Sequence, residues 1–310
     1  MPKTGSSSIQ EAFQGYEAPS LAYAKLRSSN HGPALCMAFS NSPESLPELK
    51  WRNKKKRLLQ HDPISQAKRQ VSKALACNSS LILSGEIMID RLNEAEFAQM
   101  VAALRDTFDR VVAIAYVRPL ASLAASQFQQ RIKTGQRRFV IPAPDYRKRF
   151  EKVRNLFGPE DIVWRRFDRK DLKNGDIVSD FAAVLGVDRP GRPVKMKNES
   201  LTAEVLAAVY AFNRFTAPLL PPAMQHRMRA ELLTKLQGKG DTKFGFSPEL
   251  IERHLERHEE DIDWMESICG FDVRGNVGKV ATPIADQKQL LDLAGKIGDR
   301  AQTATISGSA

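Results

Sequence analysis

Pro2-Lys3-Thr4-Gly5-Ser6-Ser7-Ser8 puts a cation, a glycine and four hydroxyl groups into seven residues. Ile9, Phe13 and Tyr16 follow at helical spacing, so the hydroxyl run opens a helix. The free amides and positive dipole end of such a start attract an oxyanion. Lys3 adds a point charge, the hydroxyls add donors, and Gly5 permits the turn that gathers them round one anion. This is not a Walker A loop, in which Gly-Lys runs directly into Ser or Thr. The chain's Gly-Lys pairs begin at 238, 278 and 295 and are followed by Gly240, Val280 and Ile297, so an ATPase or kinase of that type loses support. The plain alternative is a serine-capped helix start with no ligand.

A second group lies in Tyr116-Val117-Arg118-Pro119-Leu120-Ala121-Ser122-Leu123-Ala124-Ala125-Ser126. Arg118 ends the most strand-like run in the chain, Val111 to Val117, and Ser126 falls two turns into the helix that Pro119 opens. An arginine at the carboxyl end of a parallel strand faces the crevice where open α/β sheets bind ligands, and its planar fork suits a phosphate. Alone, an Arg-Pro helix start is commonplace.

The elements that must position these groups alternate. Leu81-Ile82-Leu83 reads as a short buried strand, and Asn93 to Phe108 as a helix opened by an Asn-x-x-Glu box at Asn93 and Glu96. After the helix to about Lys133 come a helix from Asp145 to Phe157, the strand Ile162-Val163-Trp164, and a helix from Asp176 to Leu185 stopped by Gly186. Helices over 202–219, 222–236 and 247–268 complete the pattern. This order predicts an α/β fold, a parallel sheet flanked by helices with a helical C-terminal third. It predicts one domain over 1–297, with a core over about 1–190, a helical part over about 198–297, and a loose tail at 298–310. Residues 40–60 read as a long surface connection.

Composition narrows the classes. With 310 residues and 42% apolar content the chain can build a real core. The 47 Lys plus Arg against 36 Asp plus Glu give +11, concentrated in two places. Residues 50–73 hold nine cations against Asp62, and residues 131–149 hold seven against Asp145, leaving the remainder slightly acidic. Such patches suit phosphate, sulfate or a polyanion, so a nucleic-acid- or polyanion-binding protein is the main alternative to an enzyme. Cys36, Cys77 and Cys269 are too scattered for a disulfide framework or a zinc site, and no metal is expected. His254 and His258, spaced i, i+4, lack further ligands in sequence. The longest apolar run is too short to cross a bilayer, and no leader is legible, which points to the cytoplasm.

Together, the hydroxyl-rich turn and the Arg118/Ser126 spacing resemble the sulfotransferases that use 3′-phosphoadenosine 5′-phosphosulfate as donor. The resemblance spans about residues 1–190 and implies the P-loop NTPase-like sulfotransferase fold. It implies that Lys3 contacts the bridging oxygen of the donor, that Thr4, Gly5, Ser6, Ser7 and Ser8 hold the 5′-phosphate, and that Arg118 and Ser126 bind the 3′-phosphate. No counterpart of the family's late Arg-Lys-Gly segment is legible. Family members place a catalytic histidine or acid near the end of the strand before the arginine, which here points to Glu86 as general base, with His31 in the polar turn Ser29-Asn30-His31-Gly32 as the rival. A solvated glutamate heading a helix is the plain alternative for Glu86. The look of the chain is closer to bacterial carbohydrate sulfotransferases than to the small-molecule type, so the implied acceptor is a glycan hydroxyl and nucleic acid is not an expected partner. The family also carries an apolar strand ahead of the loop, where this sequence has only Met1 before Pro2. The expectation is a misplaced start or an absent central strand, the latter giving a nucleotide-binding relative without activity.

Overall fold

The computed structural model describes residues 3–46, 62–77, 79–193, 200–276 and 280–295. Helices and strands alternate as α1 (Ser6–Phe13), β1 (Glu17–Ala18), β2 (Leu21–Tyr23), α2 (Gly32–Phe39), α3 (Pro63–Leu75), β3 (Ser80–Ile82), α4 (Met88–Arg91), α5 (Glu94–Arg105), β4 (Ala113–Val117), α6 (Leu120–Lys133), α7 (Tyr146–Leu156), β5 (Ile162–Arg166) and α8 (Ile177–Leu185). Helices follow as α9 (Ala203–Ala211), α10 (Pro222–Lys235), α11 (Pro248–Arg257), α12 (Glu259–Cys269) and α13 (Gln287–Asp292). The chain is thus α/β. It divides into two compact units, Met1–Arg118 with Asp145–Lys197, and Pro119–Pro144 with Asn198–Ala310. Helix α6 therefore groups with the helical C-terminal part and not with the strand that precedes it.

In the first unit local signals set the boundaries. Asn93 accepts from the Glu96 amide while the Glu96 carboxylate accepts from the Asn93 amide, closing a capping box on α5. Asp176 accepts from the Ser179 amide to start α8, and Gly186 ends it in the left-handed region. Strands β2 and β3 run parallel with Leu21 opposite Ser80, and β4 and β5 run parallel with Ala113 opposite Ile162. The hairpin β1–β2, which sequence periodicity does not show, adds one antiparallel edge. Instead of one sheet, the described strands form two, ordered β1-β2-β3 and β4-β5. Phe13, Tyr23, Tyr116, Val178 and Phe181 meet in one buried apolar cluster between the strands and helices α1 and α8.

Asp180, 1% exposed, anchors this cluster. It accepts from the Tyr116 hydroxyl at 2.8 Å, Arg165 Nε at 3.1 Å and the Lys173 amide at 3.0 Å. Burial pushes its pKa up, but the bonds from Arg165, Lys173 and Tyr116 outweigh this and hold it below the ordinary carboxylate value. A depressed folded pKa gives stability that is present above the unfolded value of about 4 and lost as pH falls through the folded one. Asp180→Asn should therefore cost about 2 kcal/mol at pH 7, a moderate figure because the Arg165 side chain is 36% exposed. The cost should shrink toward pH 3; equal losses at both pH values in urea unfolding would remove the charge-based account.

The second unit packs Phe128 of α6 against Phe139, Phe244 and Phe246. Its helices are more broken than their sequence suggests. The stretch read as 202–219 is α9, then a π-helical turn Phe212–Thr216 and a 3-10 turn Ala217–Leu219 that carries Pro218. The stretch read as 247–268 breaks at His258, where φ is −116° and ψ is 21°. Glu259, Glu260 and Asp261 follow as the acidic first turn of a new helix, where the dipole favours them. Among the described residues no helix is long and apolar enough to cross a membrane. The tail at 298–310 and most of the connection at 40–60 lie outside the described residues.

Candidate functional site

The Lys3–Ser8 turn forms as its residue types require. Gly5 takes φ 73° and ψ 12° as the N-cap of α1, and no side chain caps the helix. A Cβ at Gly5 would lie 3.1 Å from Ile177 and 3.3 Å from Phe167, so this glycine is fixed by both its φ and its neighbours. Lys3 itself has φ 67°, uncommon for a residue with a side chain. Its carbonyl accepts from Arg118 Nη1 at 2.9 Å, which ties the turn to the end of β4. Thr4 is buried, 3% exposed, Ser6 and Ser8 are half-buried, and Ser7 is exposed.

Three strand ends converge on this turn. Arg118 directly follows β4, Glu86 lies four residues beyond β3, and Phe167 and Asp168 directly follow β5. The Ser6 hydroxyl donates to the Glu86 carboxylate. The Arg118 guanidinium sits 5.6 Å from the Phe167 ring centroid, and the Tyr146 hydroxyl donates to the Arg118 carbonyl at 2.7 Å. Burial lowers the Arg118 pKa, with Asp168 and Tyr146 opposing. Lys3 is lowered by burial and then by Arg118, with Glu86 pulling the other way. Two partly desolvated cations, with Glu86 near one and Asp168 near the other, meet the first amides of a helix in a cradle whose chemistry suits an anion, at the carboxyl end of parallel strands.

No motif marks Phe167 and Asp168 in the sequence; the signal they carry is the one Arg118 carries, a place just past a strand's carboxyl end. Ser126 lies half-buried on α6, in the second unit, whereas Lys3, Gly5, Ser6, Glu86 and Arg118 share one group in the first.

His31 does not sit in an open polar turn. It is 0% exposed, and its Nδ1 accepts from the Ser84 amide at 3.1 Å while its own amide donates to the Ser84 carbonyl at 2.8 Å. Burial lowers its pKa to about 4, only partly offset by the backbone at Ala24. The cause is a close backbone crossing: a Cβ at Gly85 would fall 2.5 Å from the Gly32 Cα. An imidazole whose Nδ1 is committed inside that crossing holds the Glu86 strand end in place and offers no lone pair to an acceptor.

A cavity of about 960 Å³ opens beside the turn, bounded by Thr4, Ser6 and Glu86 at one end. Both β3 and β4 line its length, so each strand turns toward it the edge that no described strand covers. Its walls are largely apolar, with Phe150, Phe157 and Phe181 among them.

The basic stretches are distributed differently from a single surface. Residues 50–61 of the first lie outside the described residues, and the remainder falls on α3 behind its N-cap Asp62. The second stretch is divided between the two units at Asp145. Within the first unit Arg147 pairs with Glu151 at 3.0 Å and Arg149 with Asp90 at 2.8 Å, so neither is an idle cation. His254 is 5% exposed against the ring of His258, and no group of three potential ligands for a metal occurs among the described residues.

No family model, curated protein or solved structure matches the chain.

Proposed function

We propose that the chain binds 3′-phosphoadenosine 5′-phosphosulfate and transfers its sulfuryl group to a hydroxyl, with a carbohydrate as acceptor, on a P-loop NTPase-like sulfotransferase fold. The observation that carries this reading is the meeting of Lys3, the N-terminus of α1 and Arg118 in one cradle. The residues fit the donor in kind. Burial works against the charge of both Lys3 and Arg118, and Arg118 adds repulsion at Lys3, so an oxyanion bound beside them is favourable.

In this reading the donor, as substrate, supplies the sulfuryl group. The amides of Ser6 and Ser7 and the hydroxyls of Thr4, Ser6, Ser7 and Ser8 hold the 5′-phosphate, and Lys3 neutralises charge on the departing phosphate oxygen. Arg118 receives the 3′-phosphate. Glu86 accepts the acceptor's proton as the new S–O bond forms and the S–O bond to the nucleotide breaks. Ser6, by donating to Glu86, orients that carboxylate. His31 and Ser84 are positioning residues for it.

Calorimetry with adenosine 3′,5′-bisphosphate tests the binding half. Arg118→Ala should weaken binding by about 1.5–3 kcal/mol, the worth of a charge-assisted contact. Unchanged affinity removes the 3′-phosphate assignment. Glu86→Gln tests the chemical half: nucleotide affinity should be kept and turnover should fall about a hundredfold or more. Full turnover in that variant rejects Glu86 as the base.

A further inference from the structure

The half of the second basic stretch that belongs to the second unit, Arg131 to Arg138, has no part in the nucleotide reading. It surrounds an unusual arginine. Arg229 of α10 is 8% exposed, yet its one hydrogen bond runs from Nε to the Asn213 carbonyl oxygen at 2.7 Å. Asn213 is fully buried, and its amide nitrogen donates to the carbonyls of Ile132 at 2.8 Å and Gln136 at 3.2 Å. The π-helical turn Phe212–Thr216 makes this possible, turning Asn213 inward while Arg214 and Phe215 stay exposed. Such turns are frequent at functional positions.

The terminal nitrogens of Arg229 lie against the backbone of Gly135, where a Cβ would come within 2.7 Å of Nη2. Two more guanidinium groups lie on or against the same loop. Arg137 donates to the Gln225 side chain at 3.2 Å, and Arg214 donates to the Arg137 carbonyl at 3.3 Å. Arg137 is close enough to lower the Arg229 pKa, after burial itself. Among the described residues no carboxylate pairs with any of the three, whereas the neighbouring Arg227 has its own partner in Glu231. Buried cations are ordinarily paired, and a guanidinium set beside like charge without a counter-ion raises the free energy of the fold.

We propose that Arg137, Arg214 and Arg229 form a binding site for a tetrahedral oxyanion, the phosphate or sulfate group of an ester. Guanidinium groups gathered around the 131–138 segment without an acid suit the oxygens of such a group, and the neutral Asn213 orients Arg229 without cancelling its charge. The ester has two sources of the same chemistry. A soluble phosphorylated or sulfated sugar needs only the arginines. A lipid headgroup would also use Phe215, 57% exposed on the same turn, and Leu219, 82% exposed on the 3-10 turn that follows.

Inorganic phosphate titrated against the Lys3→Ala/Arg118→Ala variant, with chloride at matched ionic strength as control, reads this site apart from the nucleotide cradle. Arginine Nε–Hε resonances should shift saturably. Arg137→Ala/Arg214→Ala, made on the same background at two exposed positions, should weaken binding about tenfold or more. Asn213→Asp, which places a carboxylate on Arg229 Nε at the expense of the amide bonds to Ile132 and Gln136, should also weaken phosphate binding. Affinity unchanged by the paired arginine substitutions, or no phosphate effect beyond that of chloride, overturns the site. Binding of glucose 6-phosphate supports a soluble ester, and cosedimentation with phosphatidic acid vesicles but not with pure phosphatidylcholine supports a lipid one. Failure of both alongside absent phosphate binding overturns the proposal, whatever the fate of the nucleotide reading.

Discussion

Lys3→Ala is expected to lower turnover about a hundredfold or more while leaving the affinity for adenosine 3′,5′-bisphosphate within a few-fold of the parent. The separation follows from how Lys3 is held. Its backbone, at φ 67°, is fixed by the Arg118 bond to its carbonyl, and alanine keeps that carbonyl and meets the same left-handed backbone cost. What alanine removes is the ammonium group, whose pKa is lowered by burial and by Arg118 and which Glu86 partly sustains. A cation in that setting gains most when charge grows on the oxygen leaving the sulfuryl group, so its loss falls on the transition state and not on the bound ground state. Lys3→Arg, which keeps the charge but changes its shape, should recover part of the rate. The measurement is sulfuryl transfer from labelled donor to the best acceptor in a glycan panel, with calorimetry on each variant. Turnover that survives Lys3→Ala removes the leaving-group role. Loss of affinity in step with turnover makes Lys3 a ground-state binding residue instead.

The parts of the molecule legible in sequence are those with a local cause. The Asn93–Glu96 box, the Asp176 cap, the Gly186 stop and the Gly5 turn each depend on a few adjacent residues, and all four stand where their residue types place them. The parts that escaped depend on contacts far apart in sequence. His31 reads as a loop histidine, and only the crossing of Gly32 with Gly85, more than fifty residues away, buries it. Strand β1 is two residues long, too short for any periodicity to register. The π-helical turn at Phe212 arises because Asn213 satisfies the carbonyls of Ile132 and Gln136, partners no local pattern announces. In the cradle, Lys3, Gly5 and Arg118 were readable as types at the right ends of elements. Their mutual arrangement was not, because the Arg118 bond to the Lys3 carbonyl spans 115 positions.

An apolar five-residue strand fused ahead of Met1 is expected to seat between β3 and β4 and raise the thermal midpoint by about 10 °C or more. The space suits it. A five-residue strand is about 17 Å long, about 4.8 Å wide and about 10 Å through its layer, or about 800 Å³, against a cavity of about 960 Å³. The direction suits it as well. Both flanking strands run toward the turn, ending near Glu86 and Arg118, so a strand entering Lys3 from the cavity lies parallel to each. Two edges that no described strand covers then acquire hydrogen-bonded partners, and side chains on both faces are buried, as a central parallel strand requires. Burying five such residues is worth about 10 kcal/mol against about 8 kcal/mol of ordering entropy, and the new backbone bonds add about 0.5–1.5 kcal/mol each, leaving a net gain near 5 kcal/mol. At about 2–4 °C for each kcal/mol in a unit of this size, the shift is large enough to read by calorimetry. The matched control carries two prolines in the same five positions, which keeps the apolar content and removes two of the ladder donors. Equal midpoints for the two fusions would show that the cavity does not take a strand. A gain confined to the proline-free fusion, with tighter binding of adenosine 3′,5′-bisphosphate, would show that joining the two sheets also sets the distance between Glu86 and Arg118.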